Sequence, residues 1–96
     1  MLAGSMRKPP LGWLPRSFVE QTALVMSYGA KKYGKDNWKI GCEWVRYVNA
    51  ALRHLYAFAE REDIDPESGY SHLAHAACCL AFLMEMDEKG FGTDDR

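Results

Sequence analysis

Three histidines carry the most evident chemistry in this 96-residue chain. His72 and His75 are three residues apart, so they share one face of a helix if a helix forms there. That face continues as the apolar residues Cys79, Phe82 and Met86. Polar residues at the head of an apolar stripe are expected to point inward, and His54 is expected at the border between core and polar surface on another helix. The alternative is that these are core histidines held by backbone or carboxylate partners.

An acidic run lies directly before the paired histidines. It contains Glu62, Asp63, Asp65 and Glu67. Imidazole and carboxylate together suit Mn²⁺, Fe²⁺ or Zn²⁺, whereas Mg²⁺ prefers oxygen ligands. The predicted ligands of a divalent metal, Mg²⁺ or Mn²⁺, are His54, Glu62, Asp63, Asp65 and His72. The alternative is a solvated loop that faces the positive end of the following helix.

A second cluster is basic and aromatic. Lysines neutralise phosphates as mobile point charges, arginines can bind them in a bidentate manner, and an aromatic ring can stack on a base. Acids on one side and bases on the other would suit a metal-bound polyphosphate. The predicted substrate-binding residues are Lys31, Lys32, Tyr33, Lys35, Asn37, Trp38, Arg46, Arg53 and His75. The alternative is a charged helix end with Trp38 buried.

Three helices must position these groups, because apolar residues recur at spacings of three and four in three segments. Ser17 and Glu20 have capping-box spacing, and Val19, Ala23, Met26, Ala30 and Tyr33 form a face, which predicts a helix over 17–32. Trp44, Val48, Ala51, Leu55 and Phe58 predict a helix over 43–60. The third helix is predicted over 71–88, with Ser68 or Ser71 as its cap.

The third helix is apolar nearly all round, so it must be buried on more than one side. Three helices cannot easily enclose such an element. The predicted fold is therefore all-α, a three-helix hairpin-type unit that assembles into a helical bundle as a homo-oligomer. Residues 1–16 are expected to be an extended lead-in, with 1–6 typical of a cloning remnant, 17–88 a single nucleotide-binding domain, and 89–96 a flexible tail.

Composition excludes several classes of protein. The formal net charge of −1 argues against a nucleic-acid duplex binder held by a basic surface. No apolar stretch approaches the roughly 20 residues that span a bilayer, and the start lacks the layout of a secretion signal. The three cysteines, two of them adjacent, indicate reduced thiols and a cytoplasmic location.

Several longer stretches carry a family resemblance. They are Tyr-Gly-Ala-Lys-Lys-Tyr-Gly at 28–34 with Asn37 and Trp38, Ala-Leu-Arg-His-Leu at 51–55, Glu-Asp-Ile-Asp-Pro-Glu-Ser-Gly at 62–69, and His-Leu-Ala-His-Ala at 72–76. In order and spacing the chain resembles the N-terminal domain of the phage-type dATP/dGTP diphosphohydrolase family, itself similar to the MazG-like all-α nucleoside triphosphate pyrophosphohydrolases.

The resemblance implies metal-dependent hydrolysis of a purine (deoxy)nucleoside triphosphate to the monophosphate and pyrophosphate, in a phage-encoded protein. Glu62, Asp63 and His72 are then the expected catalytic residues. MazG-like enzymes hold metal with Glu-x-x-Glu and Glu-x-x-Asp, whereas this chain has His72-x-x-His75 and no Glu-x-x-Glu on its second helix. Two alternatives stay open: a non-catalytic phage protein that sequesters a nucleotide or a nucleotide-derived signal, and a purely structural helical dimer.

Overall fold

A computed structural model describes residues 8–34 and 41–96, except for the side chain of Tyr33. A short 3₁₀ helix at Leu11–Trp13 precedes three α-helices, α1 (Arg16–Tyr33), α2 (Trp44–Ala59) and α3 (His72–Lys89). No β-strand occurs in the described residues, so the all-α prediction is confirmed, with helix bounds within one residue of those expected. None of the described helices has the length and apolar character needed to cross a membrane.

The starts of α1 and α3 differ from each other in their capping. Ser71 caps α3, because its Oγ accepts hydrogen bonds from the backbone N–H groups of Leu73 and Ala74. The capping box predicted at Ser17 is wrong. Helix α1 begins one residue earlier, after Pro15 and without a side-chain cap, and Glu20 accepts a hydrogen bond from Arg16 Nε at 2.9 Å instead.

Helix α3 is the central element and packs against both α1 and α2. Val25 of α1 joins Ala74 and Cys78 of α3 in a buried cluster. The face predicted for α1 is therefore wrong in part, since Val19 and Met26 remain exposed. Two overlapping apolar faces fit the helical period of α1, and periodicity alone does not decide which one meets α3.

The end of the chain folds back over the start of α2 instead of forming the expected flexible tail. The Trp44 N–H donates to Thr93 O at 2.9 Å, and Trp44 Nε1 donates to Phe91 O at 3.1 Å. The Val45 N–H donates to Asp95 Oδ1 at 3.0 Å. The first backbone N–H groups of a helix have no partner within it, and here the chain terminus supplies partners.

Gly92 is the tightest point of this fold-back. Its φ is 75°, in the left-handed region that favours glycine. A Cβ at this position would lie 2.7 Å from Cys42 O and 2.8 Å from Met86 Sδ. Met86 itself has no exposed surface, so the end of the chain closes over a fully buried part of α3.

Several large apolar side chains of α2 and α3 are also left uncovered. Those exposed on the two helices are Leu52, Leu55, Tyr56, Phe58, Leu73, Leu80 and Met84. This agrees with the sequence argument that α3 is apolar on more sides than two neighbouring helices can cover.

Candidate functional site

The three histidines meet between α2 and α3. Their rings approach closely: His54 Nδ1 and His72 Nδ1 are 2.8 Å apart, and the His54 and His75 rings are stacked with centroids 4.5 Å apart and planes 11° apart. His72 is only 5 % exposed, and His54 and His75 are partly buried. The inward direction and convergence expected from the spacing are therefore present in the structure.

The loop between α2 and α3 brings acids to this cluster. Glu62 Oε1 lies 2.7 Å from His72 Nε2, and Asp65 Oδ2 lies 3.4 Å from His75 Nε2. Ser68 Oγ is closer to the same nitrogen of His75, at 2.7 Å. Each histidine of α3 is thus held by a polar side chain of the loop that precedes it.

Backbone hydrogen bonds fix the loop in this arrangement. The Asp65 N–H donates to Tyr70 O and the Gly69 N–H donates to Asp65 O, both at 2.8 Å. The carboxylate of Asp65 also accepts the Glu67 N–H at 3.0 Å, a local turn typical of aspartate. Asp63 accepts the His72 N–H through its backbone carbonyl, while its side chain is at the exposed surface.

One group of side chains has the spacing of a metal site. His54, Asp65 and His75 each offer one ligand atom, and these atoms lie within 4.8 Å of one another. The structure thus brings together two of the predicted ligands, His54 and Asp65, and adds His75, which was predicted to bind substrate. Glu62 and His72 instead bond to each other at the side of this group.

Burial sets the charge of the two histidines in this group. It lowers the pKa of His54, the neighbouring imidazoles of His75 and His72 lower it further, and Asp65 opposes the change. Burial likewise lowers the pKa of His75, against the opposite effect of Asp65. Both rings are therefore favoured in the neutral form, which is the form that binds metal ions.

An open pocket of about 630 Å³ adjoins the cluster and is bounded by all three helices and the acidic loop. His54, Asp65 and His75 lie in its wall. The other polar and aromatic residues that line it are Tyr28, Lys32, Arg46, Tyr47, Arg53, Glu67 and Phe82. The pocket therefore combines a candidate metal group, cationic side chains and aromatic rings in one space.

Two cations of the pocket, Lys32 and Arg46, already have partners within the chain. Lys32 forms an ion pair with Glu67, and its ammonium lies 5.9 Å from the centroid of the Tyr28 ring. Arg46 contacts Glu43 at 3.1 Å, but both side chains are more than half exposed. Exposed pairs of this kind contribute little to stability, so a phosphate can compete for these cations.

Two buried thiols complete the pocket wall. Cys78 and Cys79 both line it, and all three cysteines of the chain are free. Burial raises the pKa of the Cys78 thiol to about 12. These groups are thus small hydrophobes with little thiolate character, as the sequence suggested.

Of the predicted substrate-binding residues, Lys32, Arg46, Arg53 and His75 line the pocket. Lys31 is exposed at the end of α1 and is not among the lining residues. Lys35, Asn37 and Trp38, and the side chain of Tyr33, lie outside the described residues.

The predicted site did not include the rings of Tyr28, Tyr47 and Phe82 or the hydroxyl of Ser68. A signal for Tyr47 was present, because residues 46, 47, 50, 53 and 54 share one face of α2 at helical spacing. The Tyr47 and Phe82 rings lie 5.3 Å apart in a tilted arrangement, an apolar wall beside the arginines.

The chain is similar to known proteins over almost its whole length. A family model described as dATP/dGTP diphosphohydrolase, N-terminal, matches residues 2–96. A protein of Salmonella phage PMBT28 named dATP/dGTP diphosphohydrolase is 36 % identical over 89 residues, which cover 93 % of this chain and 30 % of the phage protein. The chain thus spans less than a third of the length of that relative. No solved structure gives a significant match.

Proposed function

The chain belongs to the dATP/dGTP diphosphohydrolase N-terminal family, and on that premise we propose that it binds a purine nucleoside triphosphate with a divalent metal ion and takes part in its hydrolysis to monophosphate and pyrophosphate. The observation that carries the proposal is the grouping of His54, Asp65 and His75 in the wall of a pocket that also holds cationic and aromatic side chains.

The residues present fit a divalent metal. His54, Asp65 and His75 would hold it, since two neutral imidazoles and a carboxylate form a donor set suited to Mn²⁺ and less suited to Mg²⁺. When bound, such an ion polarises phosphate oxygens and lowers the pKa of a water molecule. We expect Mn²⁺ to bind more tightly than Mg²⁺ for this reason.

The remaining pocket residues fit the other parts of the nucleotide. Arg46 and Arg53 can donate charge-assisted hydrogen bonds to phosphate oxygens. Lys32 can move from Glu67 to a phosphate, because both partners of that pair are partly exposed. The rings of Tyr28 and Tyr47 offer faces on which a base can stack.

A second function, sequestration without turnover, is favoured by the composition of the metal group. The group contains one carboxylate, and helix α3 carries His72-x-x-His75 where the MazG-like pattern has Glu-x-x-Asp. A site with fewer negative charges holds fewer metal ions and provides fewer proton acceptors. Binding would then persist while hydrolysis is slow.

One experiment separates these functions. The purified chain is incubated with dATP or dGTP and Mn²⁺ or Mg²⁺; products are resolved by ion-exchange chromatography, and binding is measured by calorimetry. Release of pyrophosphate that is lost in Asp65→Asn supports hydrolysis, and tight binding with the nucleotide recovered intact supports sequestration. Arg53→Ala should weaken binding, whereas Arg16→Ala, which removes an arginine paired with Glu20 outside the pocket, should not. Absence of binding with every nucleotide and metal would refute both functions.

We also propose that the chain forms a homo-oligomer through the uncovered apolar side chains of α2 and α3. Leu55 and Leu80 are 43 % and 52 % exposed, and they belong to a group of seven large apolar side chains on these two helices. Large apolar side chains left exposed on two packed helices are typical of an interface. A helical bundle formed by two copies would bury the sides of α3 that its own neighbours leave open.

A further inference from the structure

We propose that Glu62 and His72 form a hydrogen-bonded relay that fixes the tautomer of His54, so that Nδ1 of His54 carries the proton and Nε2 keeps its lone pair for a ligand. His72 is thereby a positioning residue and does not bind metal itself. Only the identity of that ligand as a metal ion rests on the proposed function; the tautomer is a property of the metal-free protein.

The argument starts from two short contacts. Glu62 Oε1 lies 2.7 Å from His72 Nε2, and His72 Nδ1 lies 2.8 Å from His54 Nδ1. Both ring nitrogens of His72 are therefore occupied by hydrogen bonds. A ring with both nitrogens occupied has no lone pair left for a metal ion, although His72 was predicted from the sequence to be a ligand.

The direction of each hydrogen bond follows from the chemistry of its partners. An ionised carboxylate accepts and does not donate, so His72 Nε2 must carry the proton shared with Glu62. In a neutral imidazole the other nitrogen is then an acceptor, so His72 Nδ1 must accept from His54. The proton between the two rings consequently belongs to His54 Nδ1, and His54 Nε2 is left as the acceptor.

The direction of the second hydrogen bond holds for His72 as a neutral ring. His72 is 5 % exposed, and its ring lies 5.1 Å from that of His54, which in turn stacks on His75. If His72 were an imidazolium, it would donate to both partners, and His54 Nε2 would carry a proton and lose its capacity to bind a metal.

A relay of this kind has a physical purpose. Metal-binding histidines commonly donate their second N–H to a fixed acceptor, which sets the ring orientation and raises the basicity of the coordinating nitrogen. Here the acceptor is another imidazole, itself anchored by a carboxylate that lies eight residues after His54 in sequence. His54 of α2 is thus oriented by α3 and by the loop together.

Nitrogen-15 NMR of the full chain, freed of metal with a chelator at neutral pH, tests the relay directly. The three histidines are assigned by comparison with His54→Gln, His72→Gln and His75→Gln. The expected result is a protonated, pyrrole-type Nδ1 and a pyridine-type Nε2 for His54. A protonated Nε2 on His54 in the wild-type protein would overturn the proposal.

Variants at Glu62 then test what sets the tautomer. Glu62→Ala removes the anchor and should shift His54 toward the Nε2-protonated form, whereas Glu62→Gln keeps an acceptor oxygen and should largely restore the wild-type spectrum. Glu60→Ala removes a carboxylate two residues away and should change nothing. Circular dichroism checks that each variant folds, and an unchanged His54 tautomer in folded Glu62→Ala would refute the role of Glu62.

Titration with Mn²⁺ alone separates this proposal from the proposed function. Glu62→Ala should lower the affinity for Mn²⁺ by about 10- to 100-fold, the usual loss when a partner of a metal-binding histidine is removed. Equal affinity of the two proteins would refute the positioning role. If the wild-type chain shows the expected tautomer but binds no Mn²⁺, the metal site of the proposed function fails while the relay stands.

Discussion

Replacing Gly92 by alanine is expected to destabilise the protein far more than the same change at Gly90. Both residues have positive φ, 75° and 72°. The difference lies in their surroundings: an added Cβ at Gly90 meets nothing within 4 Å, whereas at Gly92 it would lie 2.7 Å from Cys42 O and 2.8 Å from Met86 Sδ. Gly90→Ala therefore isolates the backbone effect and is the matched control.

The magnitudes follow from these two contributions. A left-handed conformation costs an ordinary residue about 1–2 kcal/mol, which is the whole loss expected for Gly90→Ala. Gly92→Ala adds the cost of forcing a methyl group into packed surroundings, about 1–3 kcal/mol, for a total of roughly 2–5 kcal/mol. Since the backbone oxygen of Cys42 cannot move without disturbing the first turn of α2, the upper part of this range is expected.

Equilibrium urea unfolding followed by circular dichroism measures both variants. For a domain of this size each kcal/mol corresponds to roughly 4–8 °C in Tm, so thermal unfolding should separate them by at least about 4 °C. The first turn of α2 also carries Arg46 and Tyr47 of the pocket, so nucleotide affinity should fall with Gly92→Ala. Equal stability of the two variants would show that the end of the chain does not pack on α2 and Met86.

Three further predictions concern the cap, the histidines and the apolar surface. Ser71→Ala removes the acceptor of two backbone N–H groups of α3 and should lower the free energy of unfolding by about 1 kcal/mol, measured by urea unfolding. The control Ser27→Ala changes an exposed serine and should leave the unfolding midpoint unchanged. An unchanged midpoint for Ser71→Ala would contradict the role of the cap. Folding lowers the pKa of both His54 and His75, so below pH 6.5 the unfolded chain binds more protons, and stability should be lost as pH falls from about 6.5 through the folded pKa values. Between pH 8 and pH 5, the free energy of unfolding measured in urea should therefore fall less in His75→Gln than in the wild type. An equal fall in both proteins would refute the lowered pKa of His75. Light scattering after size exclusion should give a dimer or larger oligomer that Leu55→Glu with Leu80→Glu dissociates, whereas a monomeric wild type at every concentration would refute the proposed interface.

The sequence was sufficient to predict the three helices and the convergence of the three histidines. The i, i+3 spacing of His72 and His75 fixes their common face, and the apolar residues that continue it fix the direction inward. His54 was expected at the border of the core from its angle on α2, and it is half-buried there. These are properties of single helices, which periodicity reports well.

The pairing of acids with histidines could not be predicted, because it depends on the loop. Arg61 has a φ of 72°, unusual for a residue other than glycine, and the turn at Asp65 directs Glu62 and Asp65 to different imidazoles. An acidic run in the sequence shows which carboxylates lie near the histidines. The loop conformation decides which carboxylate contacts each imidazole ring. Packing of the chain end on α2 was missed for a similar reason, since its backbone and side-chain hydrogen bonds follow no helical spacing in the sequence.

The buried thiols allow the shielding of the pocket wall to be followed through their rates of alkylation. Alkylating reagents attack the thiolate, and a thiol with a pKa of about 12 offers almost none at pH 8. Cys42 is half-buried and should be modified first, whereas Cys78 and Cys79, which are less than a tenth exposed in the pocket wall, should be modified more slowly. The ratio of the two labelling rates therefore reports how far the thiols of the pocket wall are shielded, and a ligand bound in the pocket should slow the second rate without changing the first.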